Sequence, residues 1–71
     1  MNNSINCKEV RQKLGLSQGQ MGKAMNTEGS HISQWERGLR KPSGQANRLM
    51  ELLLELEKKK LFKWYAEKYD I

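Results

Sequence analysis

The stretch LGLSQGQMGKAMNTEGSHISQWERGLRKP, from Leu14 to Pro42, holds the small, apolar and turn-forming residues that decide the fold. Ser17 and Gln20 stand at the spacing of a capping box, in which the hydroxyl accepts from a backbone N–H and the amide reaches back. A helix therefore starts just after Ser17. Along it Met21 and Met25 share a face at i, i+4, and Gly22 beside them lets a crossing helix approach closely. Asn26 enters the left-handed region at low cost and ends that helix, and Thr27 is the expected cap of the next. The second helix buries Ile32 and Trp35 and stops at Gly38. Two short helices joined by a tight turn are the reading.

Working outward, Asn6 and Glu9 repeat the capping-box spacing, so a first helix is expected from Cys7 to Leu14, burying Cys7, Val10 and Leu14 before Gly15. Pro42 and Ser43 signal another start, with Ser43 capping a helix through about Leu56 that turns Ala46, Leu49, Met50 and Leu53 to the core. Leu52, Leu54 and Leu56 are left over. The tail from Lys58 to Tyr69 is again helix-compatible. The expected fold class is all-α, five helices without a strand, in one domain over residues 1–71.

Composition narrows the partners. A core of this size is marginal, which makes oligomerisation a natural aid to stability. The single Cys7 has no partner for an intramolecular disulfide and reads as a small buried hydrophobe. Neither a signal peptide nor an apolar run able to span a bilayer is visible, so the expected location is the cytoplasm, with no membrane partner. Residues 1–48 hold eight Lys or Arg against three Asp or Glu, and residues 49–71 hold five against five. The net charge of +5 thus belongs to residues 1–48, an excess that suits a polyanion. No metal-ligand cluster and no nucleophile with a base and an orienter can be read, so neither catalysis nor a cofactor is expected.

The string Leu14, Gly15, Leu16, Ser17, Gln18, Gly22, Ile32, Ser33, Trp35, Glu36, Arg37 and Gly38 resembles the core of the Cro/cI-type, or XRE, helix-turn-helix family without a gap. The resemblance covers residues 5–56, leaving 57–71 as a C-terminal helix. Lys41, Pro42, Ser43, Gly44, Ala46, Arg48 and Leu49 further resemble the branch that includes HigA- and MqsA-like antitoxins and phage regulators. Two departures stand out: Asn26 replaces the usual turn glycine, and Gly29 and Ser30 occupy positions where longer base-reading side chains often stand. The resemblance implies a five-helix, lambda-repressor-like domain that binds double-stranded DNA. It also implies a structural pair, Arg11 with Glu36, bridging the first and third helices.

In that geometry the third helix lies in the major groove and the second crosses the backbone. The base-reading candidates are then Ser30, Ser33 and Gln34. Gln34, able to bond an adenine through both ends of its amide, is the expected chief reader, and a serine hydroxyl discriminates less. Gly29 offers only close backbone approach. His31 is either a phosphate or base contact or simply exposed. Glu28 favours the helix N-terminus or accepts from a cytosine amino group. Phosphate contacts are expected from Gln18, Arg37, Arg40, Lys41 and Ser43.

Leu61, Phe62, Trp64, Tyr65 and Tyr69 supply more apolar area than a four-helix core needs, so they are expected to form a dimerisation surface. A two-fold homodimer would set two third helices about 34 Å apart on an inverted repeat. The function these features imply is a sequence-specific DNA-binding transcriptional regulator, a repressor that occupies a promoter, often its own in small regulators of this resemblance. The competing reading is an antitoxin or interaction module whose main partner is another protein, such as a toxin, docked on the C-terminal helix.

Overall fold

Asn6 opens α1 (Cys7–Leu14), its side-chain oxygen accepting from the Glu9 N–H at 3.2 Å. Ser17 opens α2 (Gln18–Ala24) with both halves of the box in place. The Gln20 N–H donates to Ser17 Oγ at 3.1 Å, and the Ser17 N–H donates to Gln20 Oε1 at 2.9 Å. After α3 (Gly29–Glu36), Ser43 caps α4 (Gly44–Lys58) by accepting from the Ala46 N–H at 3.1 Å, and α5 (Phe62–Lys68) comes last. The computed structural model describes residues 6–71 as these five helices with no strand among them, the expected fold class. Residues 1–5, where the expected domain and the resemblance begin, lie outside the described residues.

All five helices stop in the same way. At Gly15, Asn26, Gly38, Lys60 and Asp70 the backbone turns to φ values between 57° and 76°. The following N–H then returns to a carbonyl five residues back: Leu16 to Arg11, Thr27 to Gly22, Leu39 to Gln34, Leu61 to Leu56 and Ile71 to Ala66, at 2.7–3.1 Å. Such a closure satisfies carbonyls that a helix end leaves without partners. Gly15 and Gly38 adopt it freely, and Asn26 tolerates it. Lys60 does not announce it, because nothing in a lysine favours the left-handed region. The Lys58–Lys60 run therefore closes α4, and the tail helix begins at Phe62 instead of Lys58.

Glu28, not Thr27, is the residue that precedes α3, and it makes no side-chain cap bond. Thr27 is occupied elsewhere: its N–H completes the α2 stop, and its hydroxyl lies 2.6 Å from His31 Nδ1.

The core draws on every helix. Cys7, Val10, Leu14, Met21, Ala24, Met25, Ile32, Met50, Leu53 and Phe62 form one buried cluster, with Met21, Ile32, Met50 and Leu53 fully enclosed. Trp35, Ala46 and Leu49 pack against it while staying partly exposed. Burial of Cys7, with the Glu36 charge nearby, pushes its thiol up to about 11, the behaviour of an inert core residue.

Glycine sets the distance between α2 and α3. A Cβ at Gly22 would lie 2.8 Å from the Gly29 nitrogen and 2.9 Å from both the Glu28 carbonyl carbon and the Thr27 oxygen, all backbone atoms that cannot swing aside. One at Gly29 would meet Gly19 Cα at 3.2 Å. Gly29 is therefore small because α2 touches it.

α5 folds back on its own domain. Phe62 is buried, and Tyr65 stacks near it at 5.9 Å and donates its hydroxyl to the Ala24 carbonyl at the end of α2. That partial burial raises the Tyr65 hydroxyl above its ordinary value. Lys23 Nζ also donates to the Asp70 carbonyl at 3.0 Å. Phe62 and Tyr65 are thus used inside the chain. Of the five residues assigned to dimerisation, Leu61, Trp64 and Tyr69 remain about half exposed.

Two substitutions test these constraints by urea denaturation. Gly22→Ala should cost at least about 1–3 kcal/mol, because the added methyl meets backbone. Lys60→Gly should stabilise by about 1 kcal/mol, because the left-handed turn loses its steric penalty.

Candidate nucleic-acid interface

The third helix is held in place by a charge at its end. Glu36, at the C-terminus of α3, takes Arg11 Nε at 2.6 Å and Arg11 Nη2 at 3.1 Å on its two oxygens. Arg11 Nη1 donates to the Leu16 carbonyl at 3.0 Å, and Gln18 Nε2 donates to Glu36 at 3.2 Å. The cluster therefore ties α1, the α1–α2 corner, the start of α2 and the end of α3 together. The Glu36 side chain is 6 % exposed and that of Arg11 17 %. Burial alone would raise the carboxyl, yet the Arg11 hydrogen bonds outweigh it and hold Glu36 below its ordinary value. The same bonds raise Arg11. Glu36 thus has the placement of a structural anion.

The outward side of α3 follows from its buried side. With Ile32 buried and Glu36 tied inward, Ser30, Ser33, Gln34 and Arg37 fall at i, i+3, i+4 and i+7 on the opposite stripe. Ser30 is exposed and makes a long 3.4 Å bond to Glu28 Oε1; Ser33 and Gln34 are partly exposed. The Gln34 amide is turned so that Oε1 is buried without a hydrogen-bond partner. Both ends of that amide are therefore not offered outward together in this conformation, and an adenine contact through both needs a side-chain rotation. The unpaired oxygen favours that rotation, since burying a carbonyl without a donor costs about 1–3 kcal/mol.

The other named residues divide clearly. Arg37, Arg40 and Lys41 are exposed in and before the α3–α4 loop, and among the described residues none of them forms an ion pair. Ser43 accepts the cap bond of α4, which leaves its hydroxyl hydrogen free to donate. Gln18 is exposed, but its amide is committed to Glu36 instead of pointing out. Gly29 sits against Gly19, so its backbone is covered by α2 and gives no open approach. His31 is half-buried with its Nδ1 on Thr27. If the Thr27 hydroxyl donates there, the proton of a neutral imidazole resides on Nε2, which fixes a donor at the edge of the stripe.

The family model HTH_3, helix-turn-helix, matches residues 8–57, from within α1 to within α4. The chain belongs to the XRE-type helix-turn-helix family. As a member of it, the protein is a DNA-binding transcription regulator. No individual curated protein and no solved structure matches the chain. Among the described residues no group of three or more His, Cys, Asp or Glu could hold a metal ion, and no helix is long and apolar enough to cross a membrane.

The Thr27–His31 contact and the Gly19–Gly29 approach went unread in the sequence. The i, i+4 spacing of threonine and histidine is the signal that could have shown the first. A glycine in the first turn of each helix, Gly19 in α2 and Gly29 in α3, could have shown the second.

Glu36 also makes acid sensitivity predictable. Its folded-state affinity for a proton lies below the ordinary value of 4.5, so the unfolded chain binds more protons as pH falls. The pair's contribution is complete above that value and is lost as pH drops below it. Glu36→Gln should lower stability at neutral pH by about 1–3 kcal/mol. It should also flatten the acid limb of stability against pH, measured by denaturation between neutral pH and strong acid.

Proposed function

We propose that the protein is a sequence-specific repressor that binds an inverted repeat as a homodimer, with α3 in the major groove of each half-site. The observation that carries this reading is the outward stripe of α3. It sets short polar side chains and Gln34 at its centre and leads directly into the unpaired cations Arg37, Arg40 and Lys41. Gln34, swung out of its unpaired position, reads a base, while Ser30 and Ser33 add less selective contacts. Arg37, Arg40, Lys41 and the Ser43 hydroxyl grip phosphates, and His31 flanks them through Nε2.

Repression follows from occupancy, since a bound dimer covers a promoter element, with its own small operon as the expected target. Short side chains at Ser30 and Ser33 place most of the discrimination on Gln34, so a brief half-site is expected.

Selection of bound duplexes from a random pool at moderate salt tests the reading: an enriched inverted repeat with half-site centres one turn apart is the expected result, and no enrichment from folded protein overturns it. On the selected duplex, Gln34→Ala should cost about 1–3 kcal/mol and relax one position per half-site. Arg40→Ala should weaken all duplexes alike and reduce the logarithmic salt slope by about 1 per monomer. Equal losses on selected and random DNA for Gln34→Ala would remove it as the reader.

A further inference from the structure

We propose that the outward face of α4 is the surface on which a second copy of this chain docks, antiparallel and centred on Leu52. The inference rests on the homodimeric reading above and names the surface it uses.

Gln45, Arg48, Leu52, Glu55 and Lys59 are all exposed, and their 3-4-3-4 spacing is the seam by which one helix packs along another. At its centre stands Leu52, 56 % exposed on an otherwise polar stripe. Beside it runs an apolar groove of about 450 Å³ between α4 and α5, lined by Leu49, Leu52, Leu53, Leu56, Leu61 and Tyr65 and bordered by Glu55 and Lys59. Leu61, at the start of α5, is 48 % exposed on that groove. An exposed leucine next to an open leucine-lined groove is a projection beside a matching hole.

The charges identify the occupant as a second copy. Arg48 and Glu55 lie seven residues apart, about 10.5 Å along the axis, too far to pair comfortably within one helix. Neither has an ion-pair partner among the described residues. When a copy of α4 is laid antiparallel about Leu52, position 52−n faces position 52+n. Leu52 then meets its counterpart, Gln45 faces Lys59, and Arg48 comes beside Glu55 of the second copy at both ends of the seam. The pattern is complementary to itself under a two-fold axis, the requirement of a closed homodimer. Residues 49–71 hold five basic and five acidic residues, so even with Arg48 added two such faces meet without a large net repulsion.

The test exchanges the charges in the full chain and follows the oligomeric state by sedimentation equilibrium, free and on the selected duplex. Wild type should be dimeric. Arg48→Glu alone and Glu55→Arg alone should each weaken the dimer roughly tenfold or more, because each places like charges opposite one another twice. An equimolar mixture of the two variants should recover wild-type association, because every cross pair is again opposite in sign. Circular dichroism of each variant checks that the helices persist, and the mixture corrects for any change within one helix. A wild-type dimer indifferent to all three conditions overturns this surface and leaves the homodimer standing on another face, such as that of Trp64 and Tyr69. A wild-type monomer, even when bound to its duplex, overturns the homodimeric reading and this surface with it.

Discussion

The carboxylate of Glu36 is the point on which the rest of the arrangement depends. It ends α3, and α3 has few other means of being held. Among its residues only Ile32 is fully buried, and Glu28 before it provides no side-chain cap. The guanidinium of Arg11 supplies the missing restraint from α1, with Leu16 and Gln18 filling further hydrogen-bonding positions around it. Taking both charges partly out of water is costly, and such a pair is favourable only when its geometry is good and its remaining donors are occupied. Here both conditions hold, as the lowered Glu36 and raised Arg11 affinities indicate. A planar fork also fixes orientation as well as distance. For the proposed docking of α3 in a groove in one register, that counts for more than an equal area of apolar contact, which would let the helix roll.

The second constraint is the absence of atoms. Gly22 brings α2 and α3 to a backbone contact that no side chain there would allow, and Gly29 lies so close to Gly19 Cα that a Cβ on it would stand 3.2 Å away, while Gly19 itself has room. Gly22, Gly29 and the ion pair act on opposite ends of α3: glycine contact sets where it begins, and Glu36 sets where it ends. Between those fixed ends the outward stripe needs no support from the ligand to be straight. The one unsettled element in it is the Gln34 amide, buried at its oxygen without a partner. In the proposed reading role, a preorganised helix with Gln34 left without a partner when unbound favours the bound side chain over the free one.

Much of this was legible in the sequence, for a physical reason. Helix starts at Asn6, Ser17 and Ser43 and the stops at Gly15, Asn26 and Gly38 rest on bonds within a few residues, so the local pattern suffices. The Arg11–Glu36 pair spans 25 positions and was accessible only through the family resemblance. What was misjudged depended on tertiary choices. Thr27 has the chemistry of a cap, but Glu28 takes the position before α3 and the Thr27 hydroxyl engages His31 Nδ1 instead. Lys60 took a left-handed turn because the packing of α5 required a reversal there, and lysine gives no warning of it. Phe62 and Tyr65 looked surplus to a four-helix core. They are instead the means by which α5 becomes part of that core, and only the position of the Ala24 carbonyl reveals it.

The distribution of charge gives these parts a common logic. The residues that brace and present α3 carry all of the net +5, while those from position 49 onward carry none. Two copies of the basic portion repel each other in free solution and are drawn together only where phosphates screen them. Two copies of the balanced portion have no such barrier. For the proposed dimer, keeping the excess charge in residues 1–48, of whose charged residues only Arg48 enters the self-complementary pattern on α4, lets the chain accept its copy away from the DNA. α4 stands at that division: its N-terminus, capped by Ser43, follows the cationic loop, and its outward face carries the alternating charges around Leu52. Salt would then act on the two functions differently, weakening the grip on phosphates steeply while reducing repulsion between the basic halves, so that association of the protein with itself need not fall in parallel with its affinity for DNA.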